Sequence, residues 1–543
     1  MTKYTDTLGN TIGYEYDAVG NITKTVYPDN TAVVYAYDAC GNLVSVTDWA
    51  DRTTTYSYDE NNNVTGITKP DGSTTVTVYD NSQRVISTVE RSSSGTVIAG
   101  YEYSYDNLGR ILSEIHLAEN VKYEYTYDIL SRVTKRICTN LSDNTATEET
   151  YAYDDAGNII SCTVNCGCDS FVYDRNNRLI SYNGQAVTYD ADGNMLSALL
   201  NGTEMQFAYD SANRLISAGG NSYTYNAENV RVRNLCGEIE TTYAYNTNGR
   251  LSRLLVKTTD GVITKYVYGL GLIGEETSDS FKTYHFDYRG STTAITDING
   301  NVTDTFAYDT YGNLISRTGT SAVIFIYNGR DGVVTDDNGL LYMRARYYSP
   351  ELRRFTNADI IAGEISNAVT LNRYAYANGN PVSNIDPFGL SAERGNKRGT
   401  LSYNGIDYPI YVPDFDDQNR YMIEPIWQTV FSESVLLKNI DFAKFIANFK
   451  ADDGKLTANP PLNSILALLF GGLESAGKSI NVTNITVTLQ QAGSSTRAII
   501  TVGSTDAKKI YDKYSSGIPV SGYKNHQQLT NIYISNMAKQ EYK

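Results

Sequence analysis

Apolar and polar residues alternate in short segments along the chain from Met1 to about Thr320. In Tyr35-Ala36-Tyr37 the alternation places two aromatic rings on one face of an extended strand. A Tyr-Asp pair ends each segment, and the first four pairs are 21 residues apart. The pairs end at Asp17, Asp38, Asp59 and Asp80, then less evenly at Asp106, Asp128, Asp154, Asp174, Asp190, Asp210 and Asp309, with degenerate copies at Asn226 and Asn246. This pattern predicts a long array of repeated strands.

Each copy reads approximately Tyr-x-Tyr-Asp-x-x-Gly-Asn/Arg-Leu/Ile, and its chemistry predicts a hairpin. After the strand, the Asp38 carboxylate can accept backbone N–H groups of a turn, and Gly41 can supply a positive φ. Asn42, or the arginine found there in other copies, then opens the return strand. A single hairpin cannot bury its apolar face, but stacked neighbours can. The array is therefore predicted to wind as a continuous antiparallel β-sheet spiral.

The units resemble the YD repeats of RHS proteins, of insecticidal toxin-complex C subunits and of teneurins, over residues 1–320. The resemblance implies a wound, shell-like β-sheet, which encloses a cavity in complete family members. Because the chain begins inside the repeat array, we expect a partial, open spiral in place of a closed shell. The predicted fold class is mainly β: this spiral, followed by a small α+β C-terminal domain.

A second motif occupies residues 321–390. It reads YNGRDGVVTDDNGLLYMRARYYSPELRRFTNADII from Tyr327 and NRYAYANGNPVSNIDPFGL up to Leu390. This long, ordered match is similar to the RHS-associated core. Three positions depart from the family pattern: Ser349 stands in place of Asp, Arg353 in place of Gly, and Ile360 in place of Pro.

The resemblance implies that the chain cleaves itself between Leu390 and Ser391, using the carboxylates of Asp359 and Asp386. Two carboxylates held close together cannot both ionise, so one can activate water while the other, protonated, polarises the carbonyl. Arg353 or Arg354 could tune that pair by charge. From the residues alone another interpretation stays open, in which Asp386-Pro387 makes a turn and Asp359 caps one.

Composition and charge favour a repeat architecture over any particular chemistry. The chain has 46 tyrosines and 14 phenylalanines, and amphipathic rings suit a pleated surface on which the hydroxyl stays hydrated. Residues 1–390 carry a net charge of −18 and residues 391–543 a net charge of +2. An acidic array lacks the basic surface that phosphates need, so nucleic-acid binding is not indicated. No apolar run approaches 18 residues, so no membrane-spanning segment is predicted.

After Leu390 the Tyr-Asp period stops, and residues 391–543 are predicted to form a separate α+β domain. Residues 391–400 read as a polar linker, and residues 403–412 as a hairpin around Asn404-Gly405. Apolar residues at helical spacing predict helices within 423–449 and a short helix at 506–514. Two paired strands are predicted around Gly493, at 485–489 and 498–502. The resemblance implies that a variable domain in this place is a toxin.

Four smaller patterns could suggest ligand sites, and each has a simpler explanation. Residues 472–479 fit the phosphate-loop expression G-x-x-x-x-G-K-S, but a β-branched, strand-like segment follows where a helix is needed. His526 could act as a general base, yet a lone histidine in a polar segment is more often a loop residue. The acidic residues near Asp414 and the cysteines at 162–168 lack a full ligand set. We therefore predict no metal site and no cofactor.

The sequence is compatible with two functions. The first is a toxin carrier, secreted or at the cell surface, whose repeats enclose or present the C-terminal effector and whose core releases it. Its partners would be an immunity protein for the C-terminal domain and a target-cell component that the sequence does not specify. The second is a non-enzymatic adhesion or carbohydrate-binding protein, which Tyr-rich faces would allow. The core motif favours the toxin carrier, since an adhesin needs no terminal D-P-F-G-L.

Overall fold

The computed structural model describes residues 2–165, 167–248, 251–361, 368–390, 397–403, 406–411, 482–492 and 495–504. Among these described residues the fold is nearly all β, and the only helices are short 3-10 helices. No helix among the described residues is long and apolar enough to cross a membrane. By its contacts the chain divides into two compact units, Met1–Tyr16 with Ile22–Gly395 and Asp17–Asn21 with Asn396–Lys543. The domain boundaries at residues 320 and 390 stay predictions.

The first sheet contains 18 strands, and every strand pairs antiparallel with its neighbours in sequence. The strands are β1 Lys3–Thr5, β2 Thr11–Tyr16, β3 Ile22–Val26, β4 Ala32–Tyr37, β5 Leu43–Thr47, β6 Thr53–Tyr58, β7 Val64–Thr68, β8 Thr74–Tyr79, β9 Val85–Arg91, β10 Val97–Tyr105, β11 Ile111–His116, β12 Val121–Tyr127, β13 Val133–Asn140, β14 Ala146–Tyr153, β15 Ile159–Val164, β16 Gly167–Tyr173, β17 Leu179–Tyr182 and β18 Gln185–Ala186.

The second sheet contains 14 strands in the same sequential, antiparallel order. The strands are β19 Thr188–Tyr189, β20 Met195–Leu200, β21 Thr203–Tyr209, β22 Leu215–Ala218, β23 Asn221–Tyr225, β24 Arg231–Cys236, β25 Ile239–Asn246, β26 Arg253–Thr259, β27 Val262–Tyr268, β28 Leu272–Glu276, β29 Phe281–Phe286, β30 Thr292–Asp297, β31 Val302–Tyr308 and β32 Leu314–Thr318. Neither sheet closes on itself, and each Tyr-Asp pair lies where a strand ends. The predicted antiparallel, open YD spiral is confirmed.

The turn that follows each Tyr-Asp pair has the hydrogen bonds expected from its sequence. In the turn after β10, the Gly109 N–H donates to the Asp106 carbonyl at 3.0 Å, and Gly109 has a φ of 77°. Asp106 Oδ1 accepts the N–H groups of Leu108 and Arg110, both at 2.9 Å. Arg110 Nε then donates to Asp106 Oδ2 at 2.6 Å. The carboxylate of the Tyr-Asp pair is thus satisfied within its own turn.

Neighbouring repeats are joined through their tyrosines. Tyr127 donates its hydroxyl to the carbonyl of Ile111, in the preceding repeat, at 2.5 Å, and the Arg110 guanidinium lies 4.7 Å from the centre of the Tyr127 ring. The same hydroxyl-to-carbonyl bond is made by Tyr37, Tyr58, Tyr79, Tyr105, Tyr153, Tyr173, Tyr225 and Tyr308. Arginines also stack on the next repeat's tyrosine at Arg84, Arg132, Arg178 and Arg214. The Tyr-Asp spacing therefore serves contacts between repeats as well as the turn itself.

The second sheet packs against the first in chain order, as successive turns of one spiral would. Hydrogen bonds join Tyr27 to Tyr266, Trp49 to Glu276, Lys69 to Tyr284 and Tyr101 to Thr293. Along these contacts, residues later in the first sheet meet residues later in the second sheet. The contact surface between the turns buries tyrosine rings and apolar side chains together.

The core motif forms a small four-stranded antiparallel sheet and three short 3-10 helices, packed on the repeats. Its strands are β33 Val334–Thr335, β34 Leu341–Met343, β35 Arg346–Ser349 and β36 Arg354–Phe355, and its helices are η1 Gly329–Asp331, η2 Ala368–Leu371 and η3 Ala377–Gly379. Tyr374 donates its hydroxyl to the carbonyl of Gly193 at 2.9 Å, and Tyr348 donates to that of Tyr311 at 2.7 Å. These bonds fix the motif on the repeats.

In the second compact unit, β37 Lys397–Tyr403 pairs with β38 Ile406–Tyr411, and β39 Val482–Ala492 pairs with β40 Ser495–Ser504. The two strands predicted around Gly493 are confirmed as a pair, with Ile485 opposite Val502. The predicted linker over 391–400 is too long, because β37 already begins at Lys397. The helices predicted within 423–449 and at 506–514 lie outside the described residues.

Candidate active site

The two predicted carboxylates come from segments that the core motif folds against each other. Asp359 follows β36, and its backbone N–H donates to the Arg373 carbonyl at 2.9 Å. Asp386 opens the turn that leads to Leu390. Both residues are buried, and Asp386 is 2% exposed. The two segments are 27 residues apart in sequence, so only the fold brings them together.

A single arginine joins the two carboxylates. Nη2 of Arg346, the first residue of β35, lies 2.7 Å from Asp359 Oδ2 and 3.5 Å from Asp386 Oδ2. The guanidinium carbon lies 3.6 Å from the centre of the Phe355 ring, so an aromatic face covers it. Arg346 was not among the site residues predicted from the sequence. The M-R-A-R-Y-Y segment of the core motif contains an indication of it, because a charged residue lies there next to large aromatic residues.

Burial sets the protonation of Asp359. Removal from water raises the pKa of the Asp359 carboxyl above its ordinary value, although the Arg346 guanidinium and the Ile361 N–H act in the opposite direction. Burial likewise lowers the pKa of Arg346, against the pull of both carboxylates. The Asp359 carboxyl therefore holds its proton to a higher pH than an exposed aspartate does, and it lies beside the buried Arg346 guanidinium.

The D-P-F-G-L segment forms a turn around the Asp386 side chain. The Gly389 N–H donates to the Asp386 carbonyl at 3.2 Å, and the Leu390 N–H donates to Asp386 Oδ1 at 3.0 Å. Gly389 has a φ of 67°, and a Cβ atom there would collide with the Met343 carbonyl oxygen, so only glycine fits. Asp386 is thus directly beside the last residue of the motif. Leu390 is half-buried, and Ser391, the other side of the predicted cut, lies outside the described residues.

The structure places the side chains of Arg353 and Arg354 on other partners. Arg353 Nη2 lies 3.0 Å from Asp169 Oδ2, and Arg354 Nη2 donates to the Asn177 carbonyl at 2.5 Å. Arg353 has a φ of 57°, in the left-handed region that favours glycine, which explains why the family pattern has Gly there. Arg346, and not these two, contacts both Asp359 and Asp386.

Within the described part of the chain, no group of three or more His, Cys, Asp or Glu side chains could hold a metal ion. Of the cysteine cluster, Cys162 is buried and Cys168 is exposed, while Cys166 lies outside the described residues. Residues 472–479, the acidic residues near Asp414 and His526 also lie outside them.

Two solved structures show a similar fold. The crystal structure of TcdB2-TccC3 aligns with a TM-score of 0.56 at 19% identity, covering 70% of this chain and 22% of that one. The Tc holotoxin pore of Photorhabdus luminescens aligns with a TM-score of 0.58 at 18% identity, covering 71% of this chain and 21% of that one. At such identity the likeness establishes the fold alone.

Among curated proteins, the tRNA3(Ser)-specific nuclease WapA of Bacillus spizizenii is 33% identical over 145 residues, which is 26% of this chain and 6% of that protein. The tRNA nuclease WapA of Bacillus subtilis is 29% identical over 161 residues, 24% of this chain and 7% of that protein. The chain thus spans under a tenth of the length of these relatives.

Two family models match the repeats and the core. The RHS repeat model matches residues 1–32 and 37–74, and the teneurin YD-shell model matches residues 92–382, more than half of the chain. The strand order, the Tyr-Asp turns and the packed core motif agree with that match. The chain belongs to the teneurin YD-shell family of RHS-repeat proteins.

Proposed function

We propose that the chain is part of a toxin carrier, in which the YD spiral encloses or presents a C-terminal effector and the core releases it by cutting after Leu390. The observation that carries the proposal is the pair of buried aspartates, Asp359 and Asp386, on one guanidinium beside the Leu390 backbone. If Asp386 only made a turn and Asp359 only capped one, neither their burial nor their shared contact with Arg346 would be needed. Paired carboxylates in one buried place are suited to acid–base hydrolysis.

In the proposed reaction, the two carboxyl groups share one proton. The ionised carboxylate takes a proton from water as the water oxygen bonds to the Leu390 carbonyl carbon. The protonated carboxyl donates to the carbonyl oxygen. The carboxyl that took the proton from water then donates it to the Ser391 nitrogen as the bond between that nitrogen and the carbonyl carbon breaks. The proton lent to the carbonyl oxygen returns to its carboxylate, which leaves a Leu390 carboxyl group and a Ser391 amine. Arg346 balances the charge of the pair, and the raised pKa of Asp359 favours it as the proton carrier.

The relatives support the toxin part of the proposal. WapA proteins are named as tRNA nucleases, and the structural neighbours are parts of a Tc holotoxin. Residues 391–543 would then be the effector, an immunity protein would be its partner in the producing cell, and the protein would work outside that cell. The net charge of +2 on the effector and −18 on the preceding residues would favour its retention by weak, salt-sensitive attraction.

Intact-mass and N-terminal analysis of the purified full chain tests the cut. We expect a fragment that begins at Ser391, and Asp359→Asn or Asp386→Asn should each lower the cleavage rate at least about a hundredfold, because either change removes one member of the acid–base pair. Asp38→Asn, in an exposed repeat turn, is the matched control and should cut at the wild-type rate.

A wild-type chain that stays whole from acid to neutral pH would contradict self-cleavage. The protein would then present its C-terminal domain uncut. Cutting by both Asn variants at the wild-type rate would instead show that other groups hydrolyse the bond.

A further inference from the structure

The two turn residues between β34 and β35 and the first residue of β35 hold three consecutive carbonyl groups of the D-P-F-G-L segment. Arg344 Nη1 donates to the Pro387 carbonyl at 2.5 Å, and the Ala345 N–H donates to the Phe388 carbonyl at 3.1 Å. Arg346 Nε donates to the Gly389 carbonyl. The residues that precede Leu390 are therefore held along this turn at every step.

The Arg344 guanidinium also ties the segment to other parts of the fold. Its Nη2 donates to the carbonyls of Ser252 at 3.0 Å and Asp331 at 2.8 Å, and its Nε donates to the Ser252 hydroxyl at 3.3 Å. Ser252 precedes β26 of the repeats, and Asp331 ends helix η1. A planar group with five N–H donors can reach three separate carbonyl groups, whereas a lysine ammonium presents a single point.

The backbone of Arg344 is in a conformation that disfavours an arginine. Its φ of 54° lies in the left-handed region, and the first position of a two-residue hairpin turn with positive φ is usually glycine. A side chain is retained at such a position when its contacts offset the backbone strain. Here the side-chain contacts are those with the carbonyls of Pro387, Ser252 and Asp331.

From these contacts we infer that Arg344 is a positioning residue, which holds Pro387 in register so that the Leu390 peptide lies beside Asp386. The inference rests on the proposed self-cleavage. Arg344 acts through the bound segment, whereas Arg346 touches both carboxylates. The two arginines of the M-R-A-R run thus have separate roles, since Arg344 sets the place of the substrate peptide and Arg346 sets the charge of the acid–base pair.

The test compares Arg344→Gly and Arg344→Lys with the wild type. Glycine removes the side chain and at the same time suits the positive φ, so the backbone of the turn is retained. We expect the cleavage rate of Arg344→Gly to fall at least about tenfold, with the pH dependence of the rate unchanged in shape, because the carboxylates keep their surroundings. Arg344→Lys should recover part of the rate. Gln83→Gly, which alters a positive-φ residue in a repeat turn, should cut at the wild-type rate.

Hydrogen exchange supplies a second measurement, made in the Asp359→Asn background so that the chain stays whole. Arg344→Gly should speed exchange in peptides covering 386–390 and leave peptides of the repeat strands unchanged.

Loss of protection throughout the fold, or a pH profile of cleavage that shifts, would overturn the positioning role in favour of a structural or electrostatic one. If the wild type cuts itself and Arg344→Gly cuts at the same rate, the positioning role of Arg344 is wrong while the proposed self-cleavage stands. A wild type that never cuts overturns the proposed function together with it.

Discussion

Two turns of the molecule have closely matching hydrogen bonds and opposite surroundings. In the repeat turn from Asp38 to Asn42, the Gly41 N–H donates to the Asp38 carbonyl at 3.1 Å, and the Asn42 N–H donates to Asp38 Oδ1 at 2.8 Å. In the core turn from Asp386 to Leu390, the corresponding distances are 3.2 Å and 3.0 Å. Asp38 is exposed, whereas Asp386 is buried. The candidate active-site turn is therefore a Tyr-Asp type of turn moved into the interior.

The fifth residue accounts for the difference in chemistry. Asn42 Nδ2 donates to Asp38 Oδ2 at 3.0 Å, so that turn occupies both carboxylate oxygens. Leu390 has no donor in its side chain, and Asp386 Oδ2 lies toward Arg346. With leucine in place of asparagine at the fifth position, the second carboxylate oxygen of Asp386 contacts Arg346 of β35 and not its own turn.

A third turn also pairs its aspartate with a buried arginine, although its Leu340 N–H donates to Asn338 Oδ1 at 3.1 Å. Asp336 opens the segment D-D-N-G-L, and the Gly339 N–H donates to its carbonyl at 2.9 Å. Leucine again occupies the fifth position, and Asp336 Oδ2 lies 2.6 Å from Nη1 of Arg231, which is fully buried. In both core turns a leucine in place of Asn or Arg accompanies an ion pair with a buried arginine. The core motif uses the turns of the repeats to place charged groups in the interior.

The largest effect is expected where such a buried pair is broken. Arg231→Ala should lower the free energy of unfolding by about 3–5 kcal/mol, because it leaves the Asp336 carboxylate buried without its partner. Urea unfolding followed by near-ultraviolet circular dichroism measures this. Arg233→Ala is the control on the same strand, since Arg233 pairs with Glu240 at the surface and should change the stability by less than about 1 kcal/mol. Equal losses of stability in the two variants would show that the buried Arg231–Asp336 pair contributes no more than a surface pair does.

A smaller effect is expected from restoring the repeat residue at the end of the core turn. In Leu390→Asn the new amide can donate to Asp386 Oδ2, as Asn42 does to Asp38, and so compete with Arg346. We expect the self-cleavage rate to fall at least about tenfold below that of Leu390→Ala, which removes the leucine without adding a donor. The rate of appearance of the Ser391 fragment is measured for both. Equal rates in the two variants would mean that the fifth residue does not control the carboxylate.

The repeat region could be predicted from the sequence because its interactions are local and recur. Asp106, Gly109 and Arg110 satisfy one another within five residues, so a single copy of the motif already contains the turn. The pairing of Asp359 with Asp386 was predicted only through family resemblance. The role of Arg346 was missed, because a long-range ion pair leaves no periodic signal in one sequence. Likewise, the packing of the second sheet on the first depends on residues more than 190 positions apart.

The smallest effect, and the one that separates the two kinds of carboxylate most directly, is the pH dependence of stability. Burial raises the pKa of Asp106 in a repeat turn, but the Arg110 N–H and guanidinium outweigh it and hold that pKa below its ordinary value. The stability that Asp106 contributes is then present above pH about 4 and is lost as the pH falls. The raised pKa of Asp359 has the opposite sign, so its contribution is present below pH about 4 and is lost as the pH rises.

The difference in unfolding free energy between wild type and Asp106→Asn should therefore grow from about pH 3 to about pH 7, while the difference between wild type and Asp359→Asn should shrink over the same range. Urea midpoints of the three proteins measured at each pH give both slopes, and the two variants serve as controls for each other. Slopes of the same sign would mean that the Asp359 carboxyl is held ionised by Arg346, like a repeat-turn aspartate. The proton that the proposed hydrolysis needs would then have to come from Asp386.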